Sequence, residues 1–270
     1  MSVGLAHAKL NLALVVGPQR SGGKHELITV FQRVAIVDRI ALVPAGKLEI
    51  VGFEQDTLVR DALLALSERA GTELRWRVRI DKTIPVAAGL GGGSSDAAAA
   101  LRLVNATLQN RLDESELAAL ARPLGADIPF FLTNGPQLGQ EDGGQLRSLE
   151  LPQDYSVLLL FPVGEEKRST ADVYRAFDER GGSEGFERRR QALVEALATV
   201  REARDLRALP PNDLATSPHT ERLLELGAFR ADASGAGPVV YGLFEQYDTA
   251  AAAAEALASL GEVRLTRPAW

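Results

Sequence analysis

Four glycines fall among the five residues Gly89 to Gly93, within Pro85-Val86-Ala87-Ala88-Gly89-Leu90-Gly91-Gly92-Gly93-Ser94-Ser95-Asp96. Glycine lets a backbone turn tightly and approach a ligand with no Cβ in the way. An alanine-rich stretch, Ser95 to Leu108, follows and is expected to be helical. The start of such a helix offers unpaired N–H groups and the positive end of its dipole, a natural seat for phosphate. Ser94 and Ser95 add hydroxyls that can donate to phosphate or meet magnesium. Two better-defined phosphate loops do not fit. The Walker loop ends in Gly-Lys followed by Ser or Thr, and here no lysine follows the last glycine. The dinucleotide fingerprint needs a buried parallel strand before it, whereas Leu74, Trp76, Val78 and Ile80 alternate with Arg75, Arg77, Arg79 and Asp81. A flexible turn capped at Ser95 or Asp96 is the plain alternative, and it is the weaker one for four glycines leading straight into a helix.

Lys9 and Asp127 are the second candidates. Lys9 interrupts the apolar run Ala6 to Leu14, and Asp127 sits in Leu124-Gly125-Ala126-Asp127-Ile128-Pro129. Either charge is costly to bury alone. A carboxylate beside a lysine can take a hydroxyl proton while the lysine stabilises developing charge. Taken singly, Asp127 reads equally well as a helix N-cap with Pro129 in the first turn, and Lys9 as a snorkelling strand-edge lysine. A third element, Ala233-Ser234-Gly235-Ala236-Gly237-Pro238, is a glycine turn before the strand at Val239, and an ordinary loop would look the same.

These residues need elements to hold them. The first third reads as strands at Lys9–Val16, Ile28–Ile36, Arg39–Val43 and Lys47–Val51, then a helix over Thr57–Ala70. The alternating strand through Trp76 to Asp81 leads into the glycine loop and its helix. A helix over Asp113–Arg122, begun by Asp113, and a short one from Asp127 to Leu132 follow. Asn134 to Gly144 reads as loop or edge strand. The second half gives strands at Tyr155–Phe161, Val239–Phe244 and Val263–Thr266, and helices at Thr170–Arg180, Phe186–Ala203, Thr220–Leu226 and Thr249–Leu260. A domain boundary is expected between residues 152 and 153.

The 270 residues suffice for two domains with a substantial core. Their formal net charge of −6 argues against a nucleic-acid partner, which needs a basic surface. The absence of cysteine excludes disulfides and thiolate metal sites and fits a cytoplasmic protein. The three histidines show no metal-ligand spacing. No apolar run is long enough for a membrane span, and the N-terminus lacks the basic region of a signal peptide.

An early Lys-Leu-Asn strand, the Pro…Gly-Leu-Gly-Gly-Gly-Ser-Ser loop and a late Ser-Gly-x-Gly turn, in that order, resemble the GHMP kinase superfamily. Further matches are His25-Glu26-Leu27, Gln32, Ser169-Thr170 with Val173-Tyr174, and Asn212-Asp213-Leu214. They are similar to the branch that phosphorylates a cytidine diphosphate alcohol. The resemblance implies an α+β architecture: an N-terminal ribosomal-protein-like α/β domain, residues 1–152, and a C-terminal ferredoxin-like α+β domain, residues 153–270. It implies ATP and magnesium as cofactors, a small-molecule partner without nucleic acid or membrane, and a monomer or homodimer. By position, Lys9 and Asp127 are the expected catalytic pair. Lys82, Pro85, Gly89, Leu90, Gly91, Gly92, Gly93, Ser94, Ser95 and Asn105 are expected to bind ATP, with Ser95 the candidate magnesium contact. Asn11, Lys24, His25, Tyr174 and Gly235 are expected to bind the substrate, His25 reading cytosine and Tyr174 stacking on it. Lys24 stands where the family usually carries tyrosine, and is expected to meet the diphosphate. A homoserine- or mevalonate-type kinase of the same superfamily, or a silent ligand-binding relative, are the alternatives.

Overall fold

The computed structural model describes residues 2–54, 57–164 and 169–270. Its strands and helices form two sheets in an α+β arrangement. Two compact units emerge. One takes the chain up to Ala8, Ile36–Val86 and Gly91–Asn134; the other takes Lys9–Ala35, Ala87–Leu90 and Gly135–Trp270. The long strands β1 (Ser2–Gln19) and β2 (His25–Pro44) pair with each other and contribute residues to both.

In the first unit, Glu49–Val51 (β3) runs parallel to Trp76–Asp81 (β4), and β4 pairs antiparallel with Arg39 to Pro44 of β2. The alternation expected of β4 holds. Val78 and Ile80 are buried, while Arg77 and Arg79 are exposed and paired with Glu49 and Asp81. Helix α1 (Leu58–Ala70) buries Val59, Ala62, Leu63 and Leu66, one face at helical spacing, and closes at a left-handed Gly71. Helix α2 (Gly92–Asn105) buries Ala97 to Ala100 on every side, and such small side chains let neighbours approach closely. Asp113 starts α3 (Glu114–Ala121) with a full capping box to Glu116. The short α4 (Ile128–Leu132) is buried throughout.

In the second unit, Thr29 to Phe31 of β2 pair with β5 (Gln137–Gln140), which forms a hairpin with β6 (Gln145–Ser148). The second sheet combines β7 (Ser156–Pro162), β8 (Arg230–Ala233), β9 (Val240–Phe244) and β10 (Gly261–Thr266) in the order β10-β7-β9-β8, antiparallel throughout. Helices α5 (Thr170–Glu179), α6 (Phe186–Thr199) and α7 (His219–Glu225) lie between β7 and β8 in sequence, and α8 (Tyr247–Leu257) between β9 and β10. With α7 and α8 as its two helices, this sheet has the expected ferredoxin-like order. Leu158, Leu160, Val240 and Phe244 of the strands meet Leu223, Ala250, Ala253 and Leu257 of the helices in one core. A last strand, β11 (Pro268–Ala269), pairs with Arg33 and Val34 of β2.

Three local readings are corrected. The strands expected at Ile28–Ile36 and Arg39–Val43 are one strand. Asp38, the charge that falls between them, is wholly buried and satisfied by the backbone N–H groups of Thr83 and Ile84 and by Lys82. The glycine-loop helix starts at Gly92, not Ser95, because left-handed Gly91 (φ 69°) turns the chain into it; Ser95 and Asp96 therefore lie inside the helix and cap nothing. Residues 137–148, read as loop or edge over their first part, form a hairpin, with Gly139 packed against the Phe31 ring where a Cβ would lie 2.7 Å from it.

Candidate active site

Lys9 is the centre of the second unit's polar cluster. It is 4% exposed, so it does not snorkel, and its Nζ donates to Asn11 Oδ1 at 2.6 Å. The Phe31 ring lies 5.7 Å from the ammonium, within range of a cation–π attraction. Asn11 in turn donates through Nδ2 to Thr29 Oγ1 at 2.8 Å, and Thr29 donates to the carbonyl of Ala13 at 2.7 Å. Both ends of the Asn11 amide are thus engaged, and Asn11 orients Lys9.

Two glycine-bearing segments meet this cluster. The Lys9 N–H donates to the carbonyl of Leu90 at 2.9 Å, and the buried Leu90 side chain anchors the loop. Ser234 Oγ accepts from the Asn11 N–H at 3.4 Å and donates to the carbonyl of Gly89 at 3.2 Å. Gly89 has φ 87°, and a Cβ there would overlap the Ser234 carbonyl; one at Gly237 would overlap the backbone of Ala88. The two segments therefore interlock backbone to backbone. Gly235, also left-handed, lies so close that a Cβ would come 3.2 Å from Asn11 Oδ1 and 3.4 Å from Lys9 Nζ. Asn212 Nδ2 fixes the turn by donating to the carbonyls of Gly235 at 2.7 Å and Ala233 at 3.1 Å.

In the first unit, the start of α2 has no side-chain cap and no acidic residue in its first turn. The first-turn N–H groups of a helix have no intrahelical partner, so this end suits an anion. Gly91, Gly92, Gly93 and Ser94 are half-buried here, and Ser95 is buried. Gly125 lies beside Ser94, where a Cβ would come 3.9 Å from its Oγ. Two residues on, half-buried Asp127 occupies the N-cap position of α4, but its carboxylate makes no capping hydrogen bond, so capping does not explain it. Pro85 is half-buried just before the loop.

Lys82 lies in a buried charge cluster. Its Nζ donates to Asp38 Oδ2 at 2.5 Å and to Asp96 Oδ2 at 2.8 Å, and it sits 5.5 Å from the Phe53 ring. Burial lowers the pKa of Lys82, but the two carboxylates outweigh it and the net shift is upward. Burial pushes the Asp96 carboxyl up to about 7, against the pull of Lys82. Asp96 Oδ1 has no hydrogen-bond partner, which also favours the neutral acid. The Asn105 amide is engaged with the backbone of Leu112, accepting at 2.9 Å and donating at 2.8 Å.

Of the residues expected at the substrate, Asn11 and Gly235 lie at Lys9, and the other three lie in two further places, both in the second unit. His25 and Tyr174 are together, their rings stacked with centroids 4.8 Å apart. Lys24 is exposed and ion-paired with Asp142 at 2.9 Å. Sequence reasoning gave no role to Asp38, Thr29 or Asp178. Asp38 was detectable as a lone carboxylate inside an apolar strand. Among the described residues, no group of three or more His, Cys, Asp or Glu side chains is placed to hold a metal ion, and no helix is long and apolar enough to cross a membrane.

Comparison with known proteins bears on this arrangement directly. The profile of the GHMP kinases N terminal domain matches residues 57–135, and that of the GHMP kinases C terminal domain matches residues 184–263. Fold and loop thus define the class: a two-domain GHMP kinase. A 4-diphosphocytidyl-2-C-methyl-D-erythritol kinase of Anaeromyxobacter sp. strain K is 38% identical over 94% of this chain and 84% of its own. One from Chlorobium phaeobacteroides strain BS1 is 34% identical over 97% of this chain and 96% of its own. A crystal structure of 4-(cytidine 5'-diphospho)-2C-methyl-D-erythritol kinase superposes with a TM-score of 0.80 at 34% identity, covering all of both chains. The chain belongs to the family of 4-diphosphocytidyl-2-C-methyl-D-erythritol kinases within the GHMP kinases.

Proposed function

We propose that this chain transfers the terminal phosphoryl group of ATP to the 2-hydroxyl of 4-diphosphocytidyl-2-C-methyl-D-erythritol, in the non-mevalonate route to isoprenoid precursors. The observation that carries the reading is the buried Lys9 ammonium, oriented by Asn11 and approached by the Gly89–Leu90 backbone and the Gly235 turn. A fixed cation against bare backbone is what a reaction with charge developing on oxygen requires. Phosphoryl transfer calls for positioning and charge stabilisation more than for covalent chemistry by the protein.

In this reading residues 1–152 form the N-terminal domain and 153–270 the C-terminal domain. Pro85 and Gly89 to Ser95 cradle the ATP phosphates, and Lys82 and Asn105 support the nucleoside end. Lys82 does so while tied to Asp38 and Asp96, and Asn105 while tied to Leu112. Magnesium, when bound with ATP, would neutralise charge on the phosphate oxygens, and the Ser95 hydroxyl would be its contact from the protein. Asp127 accepts the hydroxyl proton or stabilises its loss, and Lys9 faces the developing alkoxide. Asn11 and Gly235 shape the alcohol site, His25 and Tyr174 receive cytosine, and Lys24 turns from Asp142 to the diphosphate. The enzyme acts in the cytoplasm as a monomer or homodimer, without nucleic acid.

The test is ADP release with magnesium-ATP and a panel of alcohols. Turnover is expected with the cytidine compound and not with mevalonate or homoserine; a preference for either of those would displace the substrate assignment. In the same assay Asp127→Asn is expected to lower kcat by about 10²-fold or more, the range for loss of a positioned acid or base. An unchanged kcat would remove Asp127 from the chemistry.

A further inference from the structure

His25 begins β2 directly after the turn at residues 20–24, and its side chain is 6% exposed. One face of α5 encloses it. Tyr174, Phe177 and Asp178 are spaced i, i+3 and i+4, so they project on the same side of that helix. The Tyr174 ring stacks on the imidazole at an interplanar angle of 28°, and Phe177 meets it edge-on at 6.0 Å. Asp178 Oδ1 lies 2.8 Å from His25 Nε2. The helix itself is well fixed. Ser169 caps it, and Val173 and Phe177 pack with Leu14, Val16 and Leu214. The contact between Asp178 and His25 therefore joins a half-exposed carboxylate to a buried ring on a firm support.

An ionised carboxylate only accepts hydrogen bonds, so the imidazole nitrogen facing it carries the proton. In a neutral imidazole the other nitrogen is then an acceptor. We propose that Asp178 is a positioning residue for base selection. By holding His25 as the Nε2–H tautomer, it leaves a lone pair on Nδ1 that accepts from the exocyclic amine of cytosine and repels the O4 carbonyl of uracil. This rests on the reading of His25 as the residue that meets the base. Cytosine and uracil differ at this edge by exchanging a donor for an acceptor, so a fixed tautomer discriminates where a stacked ring alone does not.

The experiment has a spectroscopic arm and a binding arm. In the full chain labelled with 15N-histidine, at pH 8 without ligand, His25 is expected to show the Nε2–H tautomer, and Asp178→Ala to give a tautomeric mixture. In competition against the alcohol substrate, CDP is expected to bind at least tenfold more tightly than UDP. Asp178→Ala should narrow that preference about tenfold through weaker CDP binding, with a thermal midpoint close to wild type. An Nδ1–H His25 in the wild type, or an Asp178→Ala variant with tautomer and preference unchanged, overturns the proposal. His25→Ala separates the two levels. If it abolishes the preference and Asp178→Ala does not, only the role of Asp178 falls. If it leaves the preference intact, the assignment of His25 to cytosine falls, and base selection by Asp178 falls with it.

Discussion

Asp96 is a buried carboxylate in a cluster whose charges do not balance. Two carboxylates and one ammonium make the Asp38–Lys82–Asp96 cluster one negative charge in excess when all are ionised, and Asp96 Oδ1 has no donor to satisfy it. Its carboxyl is pushed up to about 7, mainly by burial. A raised folded-state pKa means that the folded chain holds this proton more tightly than the unfolded chain does. The resulting stability is complete below the ordinary carboxylate pKa of 3.8 and is lost as pH rises through about 7. An asparagine in its place would keep the shape without the titration. Relative to Asp96→Asn, the wild type is therefore expected to lose roughly 2 to 3 kcal/mol of unfolding free energy between pH 5 and pH 8, at about 1.4 kcal/mol per pH unit. Urea titrations of both proteins at the two pH values measure it, and parallel losses would mean that Asp96 does not titrate there. The cluster itself was not legible in the sequence, because Asp38 and Asp96 are 58 positions apart: the pairing of β2 with β4 brings Asp38 beside Lys82, and Lys82 links it to Asp96 on α2. Lys9 was half legible: a lone lysine in an apolar strand stands out, but the same pattern fits a snorkelling edge residue, and only the fold shows it buried against Asn11.

At the scale of elements, the interlock of residues 87–90 with the turn at 234–237 is the point most exposed to test. Gly89 combines a left-handed φ with a close approach to the Ser234 carbonyl, so alanine there meets both backbone strain and overlap. Gly89→Ala is expected to lower kcat/KM by about 10²-fold, the cost of displacing a positioning loop by the order of 1 Å. It should also lower stability by about 1–3 kcal/mol. Gly71 is also left-handed but has no neighbour within 4 Å of a Cβ, so Gly71→Ala should cost stability alone and leave kcat/KM near wild type. Equal kinetic losses in both would mean the interlock has no special part in activity. The glycine loop was readable because its composition has few other uses, as was α3, whose capping box is written in Asp113 and Glu116. Strand β8 was not. Arg230 and Asp232 look like surface residues in sequence, yet both are buried, the guanidinium being spent on the carbonyls of Leu209 and Pro210 and on Asp232. The start of α2 was misplaced by three residues because nothing in a run of glycines says which one turns left-handed.

For the molecule as a whole, the formal charge of −6 sets a condition on how an anionic nucleotide can be held. Long-range attraction does not favour it, so affinity must come from local donors. In the proposed site these are largely uncharged: the first N–H groups of α2 and the hydroxyls of Ser94 and Ser95. Lys82, the last cation before the glycine loop, is already neutralised by Asp38 and Asp96. Backbone dipoles at short range are screened by salt far less than separated surface charges are. Magnesium-ATP at about 100 times its Kd is expected to stabilise the folded chain by about 2.7 kcal/mol. For a chain of this size that is roughly a 5 °C rise in thermal midpoint. Most of that rise should survive between about 0.05 and 0.5 M potassium chloride. With no cysteine in the chain, the same melt needs no reductant, and oxidation of thiols cannot confuse it. A shift that collapses with salt would point instead to nucleotide held by surface lysines and arginines. No shift at millimolar magnesium-ATP would remove the glycine loop as its seat.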